Sequence, residues 1–470
     1  MHKLSKILPK IIIAILLLAL AYGLSFLPIY LEPYLVTGIL IGALLCLIVL
    51  RDPMWGIYML IFFLPFERIG SYDIGGVTIR ISQLIAMLAI LAWIFRGFNL
   101  RSFKLRPNPI FWPIIIFLTI NLLGLINAVN FDRSLKVWLF TAFTMSASII
   151  LPNIIRHGDQ MPRLIKILYA SVFLVTIFGL YQFMGDIIGL SPSLTGLRPQ
   201  YTKDVLGFPR IQSTALEPLY FANYLLIPLS IIISLVLSKN KKIKPLLSIG
   251  LLALAGINLV LTVARGGYIA FAACCIFLGI IYFKKLFSLR NILYLTMALI
   301  IIGIGANYFL NLDDAKESFV EHASNLFTGA SYFERVYTIE KAMDAWREHP
   351  FIGIGPGSFG PYTSFHPLIE PGSGYLIVNN EYIELLTETG ILGLATFIII
   401  LAIIIIRSIK AILRAEDRFI KAILIGLLTA LIGILVQYNT FSILYIMHIW
   451  VTIGLLVSCQ NIVFLKKYEK

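Results

Sequence analysis

Residues 383–406 read IELLTETGILGLATFIIILAIIII, and Arg407 closes the stretch. From Gly390 to Ile406 it holds no charge, no proline and one hydroxyl, that of Thr396. About 20 consecutive, mainly apolar residues suffice for a helix to cross the hydrocarbon layer of a bilayer. This stretch is therefore read as a membrane span, with Glu384 in its first turn, where a carboxylate suits the helix dipole.

Working outward, similar apolar runs fall at about 11–29, 34–50, 53–66, 81–96, 109–127, 135–153, 165–187, 218–237, 245–263, 267–283, 291–310, 420–437 and 441–464. The run at 53–66 is short and lies between Pro53 and Pro65, so about 12 to 14 spans are expected. The whole chain of 470 residues is 59% apolar and only 13% charged, about half the charged share of an ordinary soluble domain. That excludes a soluble enzyme, a disordered chain and a secreted disulfide scaffold. Cys46, Cys274, Cys275 and Cys459 all lie inside apolar runs, with neither metal-site nor disulfide spacing. Lys3, Lys6 and Lys10 precede the first run, which reads as an uncleaved first helix. The expected fold is an all-α polytopic membrane protein with a large helical outer loop near 311–382. N-terminal transmembrane helices occupy 1–200, and a core over 201–464 includes that loop.

The net charge of +14 would suggest nucleic acid in a soluble protein. Here the Lys and Arg clusters at 3–10, 96–106, 156–166, 239–244, 284–290, 407–421 and 466–470 all fall on one side if there are 14 spans. The positive-inside rule makes that side cytoplasmic, with both termini inside and no nucleic-acid partner. The loops near 188–217 and 311–382 are then outside. In the second, Val336, Ile339, Met343 and Trp346 recur at helical spacing, which predicts a helix with that apolar face, ending before His349-Pro350. The segment Phe351-Ile352-Gly353-Ile354-Gly355-Pro356-Gly357-Ser358-Phe359 that follows lacks a phosphate-loop Lys and reads as a rigid turn back to the membrane.

Polar residues at the outer ends of spans are the candidates for chemistry. Arg210-Ile211-Gln212-Ser213-Thr214 runs into Glu217-Pro218. It is either a helix start, capped by Ser213 or Thr214 with Glu217 facing the dipole, or an anion site. Arg265 sits in a tight hairpin beside Gly266 and Gly267. A lone arginine on the side poor in positive charge favours function over simple snorkelling. Asn379, Asn380 and Glu381 begin the helix quoted above. They are adequate as caps, yet Asn380, Glu384 and Thr387 share a polar stripe entering the bundle. Of the histidines, His366 is the one most freely placed to reach the membrane surface, and His448 reads as a packed mid-span residue. No cluster suggests a metal or a cofactor.

These groups, in this order, resemble the O-antigen ligase and polymerase superfamily. Its pattern has an Arg-x-x-(Ser/Gly)-Thr stretch before a Pro-x-x-x-Ala helix, which Arg210 to Ala222 resembles. A Ser-Arg-Gly-type hairpin follows, similar to Ala264-Arg265-Gly266. Arg335, Trp346 and the segment from His349 to Phe359 are similar to the third element, and Asn380 to Gly393 to the fourth. The resemblance covers about 200–395. It implies a metal-independent membrane glycosyltransferase without cofactor, in the bacterial cytoplasmic (inner) membrane. The enzyme would act at the outer face on an undecaprenyl-pyrophosphate-linked oligosaccharide donor, with a glycan or lipid acceptor and membrane lipids as partners. It would polymerise the glycan or ligate it for surface polysaccharide. The expected site comprises Arg210 and Arg265 on the pyrophosphate, the helix start at Asn379 and Asn380, and Glu217, Glu381 or His366 as proton acceptor. Where the family often carries His, this chain has Asn379, and an amide cannot take a proton as imidazole can. That departure puts polymerase slightly ahead of ligase. A lipid-glycan flippase or transporter is the competing class, but its charges would be expected deep in the spans, and here they gather at the ends.

Overall fold

The computed structural model describes residues 33–68, 71–74, 77–99, 105–239, 242–283, 330–364, 376–442 and 444–465. Twelve of the apolar runs fall among them, and each is helical. They are α1 (Pro33–Arg51), α2 (Pro53–Phe63), α3 (Ile81–Asn99), α4 (Phe111–Gly124), α5 (Phe131–Ile154), α6 (Met161–Ile187), α7 (Pro218–Leu237), α8 (Pro245–Leu261), α9 (Arg265–Ile281), then, after the loop helix α10 (Ala330–Glu348), α11 (Glu381–Arg414), α12 (Arg418–Gln437) and α13 (Met447–Leu465). The runs at 11–29 and 291–310 lie outside the described residues, as does His366. Six of these helices (α5, α6, α7, α11, α12 and α13) are long and apolar enough to cross a membrane. The 11 residues of α2 extend about 16 Å, well short of the ~30 Å hydrocarbon core. An antiparallel hairpin pairs Tyr72–Ile74 with Val77–Ile79.

Large apolar side chains cover exposed helix faces: Phe173, Leu174, Ile177 and Met184 on α6, and Ile398, Ile399 and Ile406 on α11. Asn223, Gln437, Ser230 and Thr429 are buried instead. That inverted distribution is what a lipid solvent selects, and the protein is an all-α polytopic membrane protein.

The chain forms two compact units. One comprises residues 1–56 and 87–103, and within it Arg96 at the end of α3 pairs with Asp52 at 3.3 Å. The other comprises 57–86 and 104–470 and carries the candidate site. At its centre α12 packs against α7, α9 and α13, while α5 lies on α13 and α4 on α11. Small residues permit the close approach: Gly426 lies against the Ile231 backbone and Gly433 against Cys274. Ser234 donates to the Ala422 carbonyl at 2.7 Å, and the Cys274 thiol donates to that of Thr429 at 3.4 Å. At one end of this unit basic side chains pair with local partners, as Lys242 does with Asp417 and Arg407 with Asn461. The loops bearing Arg210 and Arg265 meet at the other end.

The loop helix α10 ends at Glu348, as the His349-Pro350 pair predicts. Its buried seam differs from the expected one. Thr338, Ala342 and Ala345 are fully buried, whereas Val336 is exposed. The cause is contact with α11: Thr387 donates to the Ala342 carbonyl at 3.0 Å, an approach that needs small side chains. Apolar bulk therefore misled the reading of the face.

Candidate active site

Arg210 is fastened to the hairpin that holds Arg265. The Ile211 N–H donates to the Leu261 carbonyl at 3.1 Å, and Arg210 Nε to that of Thr262 at 3.4 Å. Its guanidinium stands 5.7 Å over the Tyr201 ring. The hairpin turns through Val263 at φ 48°, a conformation that β-branched residues rarely accept. Ser213 (φ 50°) and Asn379 (φ 57°) are likewise left-handed, so three of the four such non-glycine residues among the described residues belong to the three segments singled out in the sequence. Strain of this kind collects at functional sites.

Arg265 opens α9, whose N-terminus no side chain caps. A cation there opposes the helix dipole. It also adds to a group of like charges. Burial lowers the Arg210 pKa, Tyr201 and Tyr268 oppose the shift, Arg265 lowers it further, and Glu217 raises it. For Arg335 on α10, burial again leads and Arg265 is the next cause. Arg265 thus stands in electrostatic range of two other guanidinium groups, and the arrangement is suited to an anion carrying more than one charge.

Glu217 stands where the helix α7 starts. It occupies the N-cap position of α7 but makes no side-chain cap bond. Ser213 donates instead to the Val175 carbonyl and Thr214 to that of Pro65, at 2.6 and 2.7 Å. None of the three side chains caps α7, and the Glu217 carboxylate lies among the charges acting on Arg210.

A second polar group surrounds the start of α11. Asn380 is its cap, accepting from the N–H groups of Tyr382 and Ile383 at 3.1 and 3.2 Å. Glu381 is buried, with its N–H on the Tyr438 carbonyl at 2.8 Å. Glu381, Glu384 and Glu388 line a cavity of about 60 Å³ with Arg133 and Tyr445. A single water needs roughly 10–15 Å³ by the same measure, so several polar atoms fit. Glu384 accepts from the Val378 N–H at 3.3 Å, and Arg133 Nε donates to the Gly357 carbonyl at 2.9 Å. The two groups share a wall: the 438–446 loop places Thr440 against Gly266 and Tyr445 over the cavity.

The glycine segment is a strap across α11. Ile354 and Gly355 donate to the carbonyls of Thr387 and Glu388, and Ile391 and Leu392 donate to those of Pro350 and Phe351, at 2.9 to 3.2 Å. Gly390 breaks the helix with φ 66°. A Cβ on it would enter the Phe351 backbone, and one on Gly353 that of Glu388.

The structure therefore gathers Arg210, Arg265 and Glu217, and sets Asn379, Asn380 and Glu381 at the neighbouring helix start. Asn380 is occupied as a cap. Sorting charges by side also missed Arg80 and Arg133, which precede α3 and sit in the first turn of α5 at the same end; the same test applied to those short loops would have found them. His448 is the second residue of α13 and not mid-span.

The class is a polytopic membrane protein. Residues 250–398 match the family model described as O-Antigen ligase. The match takes in Arg265, Arg335, the strap and the start of α11; Arg210 and Glu217 precede it. No curated protein matches the chain.

Proposed function

We propose that the protein is a glycosyltransferase of the bacterial cytoplasmic membrane that acts at the outer face, with both termini inside. It moves a glycan from undecaprenyl pyrophosphate to an acceptor hydroxyl and serves surface-polysaccharide synthesis. The observation that carries this reading is the grouping of Arg210 and Arg335 around Arg265. A pyrophosphate leaving group develops charge as it departs, and fixed guanidinium forks at a water-poor boundary meet that charge without reorganising.

In this mechanism the acceptor oxygen bonds to the anomeric carbon as the bond from that carbon to the pyrophosphate oxygen breaks. The bonding pair leaves with the pyrophosphate, held by Arg210, Arg265 and Arg335. The acceptor proton passes to Glu217, the carboxylate nearest in charge to Arg210 and not engaged as a cap. General-base help of this kind contributes about 10²–10⁴-fold. Polymerisation stands ahead of ligation because Asn379 offers an amide in place of the family imidazole. The test is reconstitution with a lipid-linked oligosaccharide. Longer chains or a new conjugate support the reading; relocation of the substrate without a new glycosidic bond would replace it with a flippase.

A further inference from the structure

A line of buried hydrogen bonds beneath the arginines has a fixed direction. It begins at a backbone carbonyl, which can only accept: Gln437 Nε2 donates to Leu219 O at 3.3 Å. The other end of that amide, Gln437 Oε1, then accepts from Asn223 Nδ2 at 2.9 Å. Asn223 therefore turns its Oδ1 to His448 Nε2 at 2.7 Å, and an amide oxygen has no proton to give. His448 Nε2 must be the donor.

This leaves the other ring nitrogen. In neutral imidazole with its proton on Nε2, Nδ1 carries a lone pair. His448 Nδ1 faces Glu67 Oε1 at 3.5 Å, with both side chains buried. A lone pair facing an ionised carboxylate is repulsive, so a proton belongs between them. Neither Nδ1 nor Glu67 Oε2 has a hydrogen-bond partner among the described residues. Tyr224 of α7 sets its ring edge-on to His448 at 6.0 Å. Glu67, Glu217, Arg80 and Tyr445 all act on Tyr220 of the same helix.

Glu67 is also mechanically tied to the candidate site. The N–H groups of Glu67 and Arg68 both donate to the Thr214 carbonyl, at 3.2 and 3.0 Å, and Thr214 Oγ1 donates back to the Pro65 carbonyl. Thr214 lies between Arg210 and Glu217.

We infer that Glu67 and His448 hold one proton between them, and that this shared proton positions the segment carrying Arg210 and Glu217. Both act through that segment and are positioning residues. The positioning role rests on the pyrophosphate reading of the arginines; the shared proton does not. With the proton present the pair attracts and the clamp on Thr214 is closed. Without it, carboxylate and lone pair repel and the clamp loosens.

Two measurements on the full chain in lipid nanodiscs test this. Nitrogen-15 spectra of labelled histidine, assigned with H448N, should show His448 protonated at Nε2 and hydrogen-bonded at Nδ1. A bare Nε2 with a protonated Nδ1 overturns the inference. Inorganic pyrophosphate binding, compared among wild type, Glu67→Gln and Glu67→Ala at one pH, supplies the second. The glutamine amide can donate to Nδ1 without a shared proton, whereas alanine offers Nδ1 nothing. Affinity should stay near wild type in E67Q and fall about tenfold in E67A, and equal affinities in all three overturn the positioning role. Wild type that binds no pyrophosphate overturns the anion-site reading and the positioning role together, while the nitrogen spectra still decide the shared proton.

Discussion

The carboxylate of Glu388, in the second turn of α11, accepts hydrogen bonds from the backbone N–H groups of Gly357 and Phe359 at 2.7 and 3.1 Å. It adds two side-chain bonds to the backbone bonds that hold the strap. A buried N–H left without its acceptor costs about 1–3 kcal/mol. Glu388→Ala should therefore lower unfolding stability by at least that amount, read by denaturant titration of the purified protein.

The arginines should behave as forks and not as bare charges. Arg210→Lys and Arg265→Lys keep the charge and lose the paired donors. Each should reduce transfer about 10²-fold, the range for removing one stabilising donor group, with protein level in the membrane unchanged. Arg335→Ala should have a smaller effect, mainly on apparent donor affinity. Activity of the lysine variants equal to wild type would exclude bidentate phosphate contact.

Transfer should persist in chelator, because the guanidinium groups supply the positive charge the leaving group needs. Assaying purified protein with and without EDTA checks this, and loss of activity restored by a divalent cation would contradict it.

Gly390→Ala should abolish accumulation of folded protein. The residue is left-handed, and its Cβ would meet the Phe351 backbone, which cannot move aside as a side chain can. The backbone strain alone is on the order of 1–3 kcal/mol. Yield of monodisperse protein in detergent is the readout.

At the opposite end, Asp417 gives a small acid dependence. Burial raises its pKa, but Lys242 at 3.1 Å and the Phe419 N–H at 2.7 Å outweigh that and lower it below 3.8 overall. A depressed carboxylate stabilises the fold above its unfolded pKa, and the contribution is lost as pH falls through the folded value. The pair is half-exposed, so the effect is at most about 1 kcal/mol. Melting curves of Asp417→Asn should converge on wild type only in strong acid.

The helices were legible because lipid demands long apolar runs, and each run among the described residues is a helix. Arg265 and Arg210 were legible because they oppose the charge bias of their side. The seam of α10 was not, since contact with Thr387 selects Ala342 and Ala345 over the larger Met343 and Trp346. Glu67 and His448 were hidden for another reason. They lie near opposite ends of the chain, and neither stands in a pattern; only the folded contact, and the direction of the bonds through Asn223 and Gln437, gives them meaning. Glu388 was read as part of a span because the strap that occupies it lies outside α11.

A Cβ on Gly353 of the strap would enter the Glu388–Thr389 backbone, and one on Gly390 at the break in α11 would enter the Phe351–Ile352 backbone. Neither position can acquire a side chain while the segment facing it keeps its present course. For anyone diversifying this scaffold, the two are one locus: randomising either alone returns only glycine, and a library that varies both must also redraw the crossing.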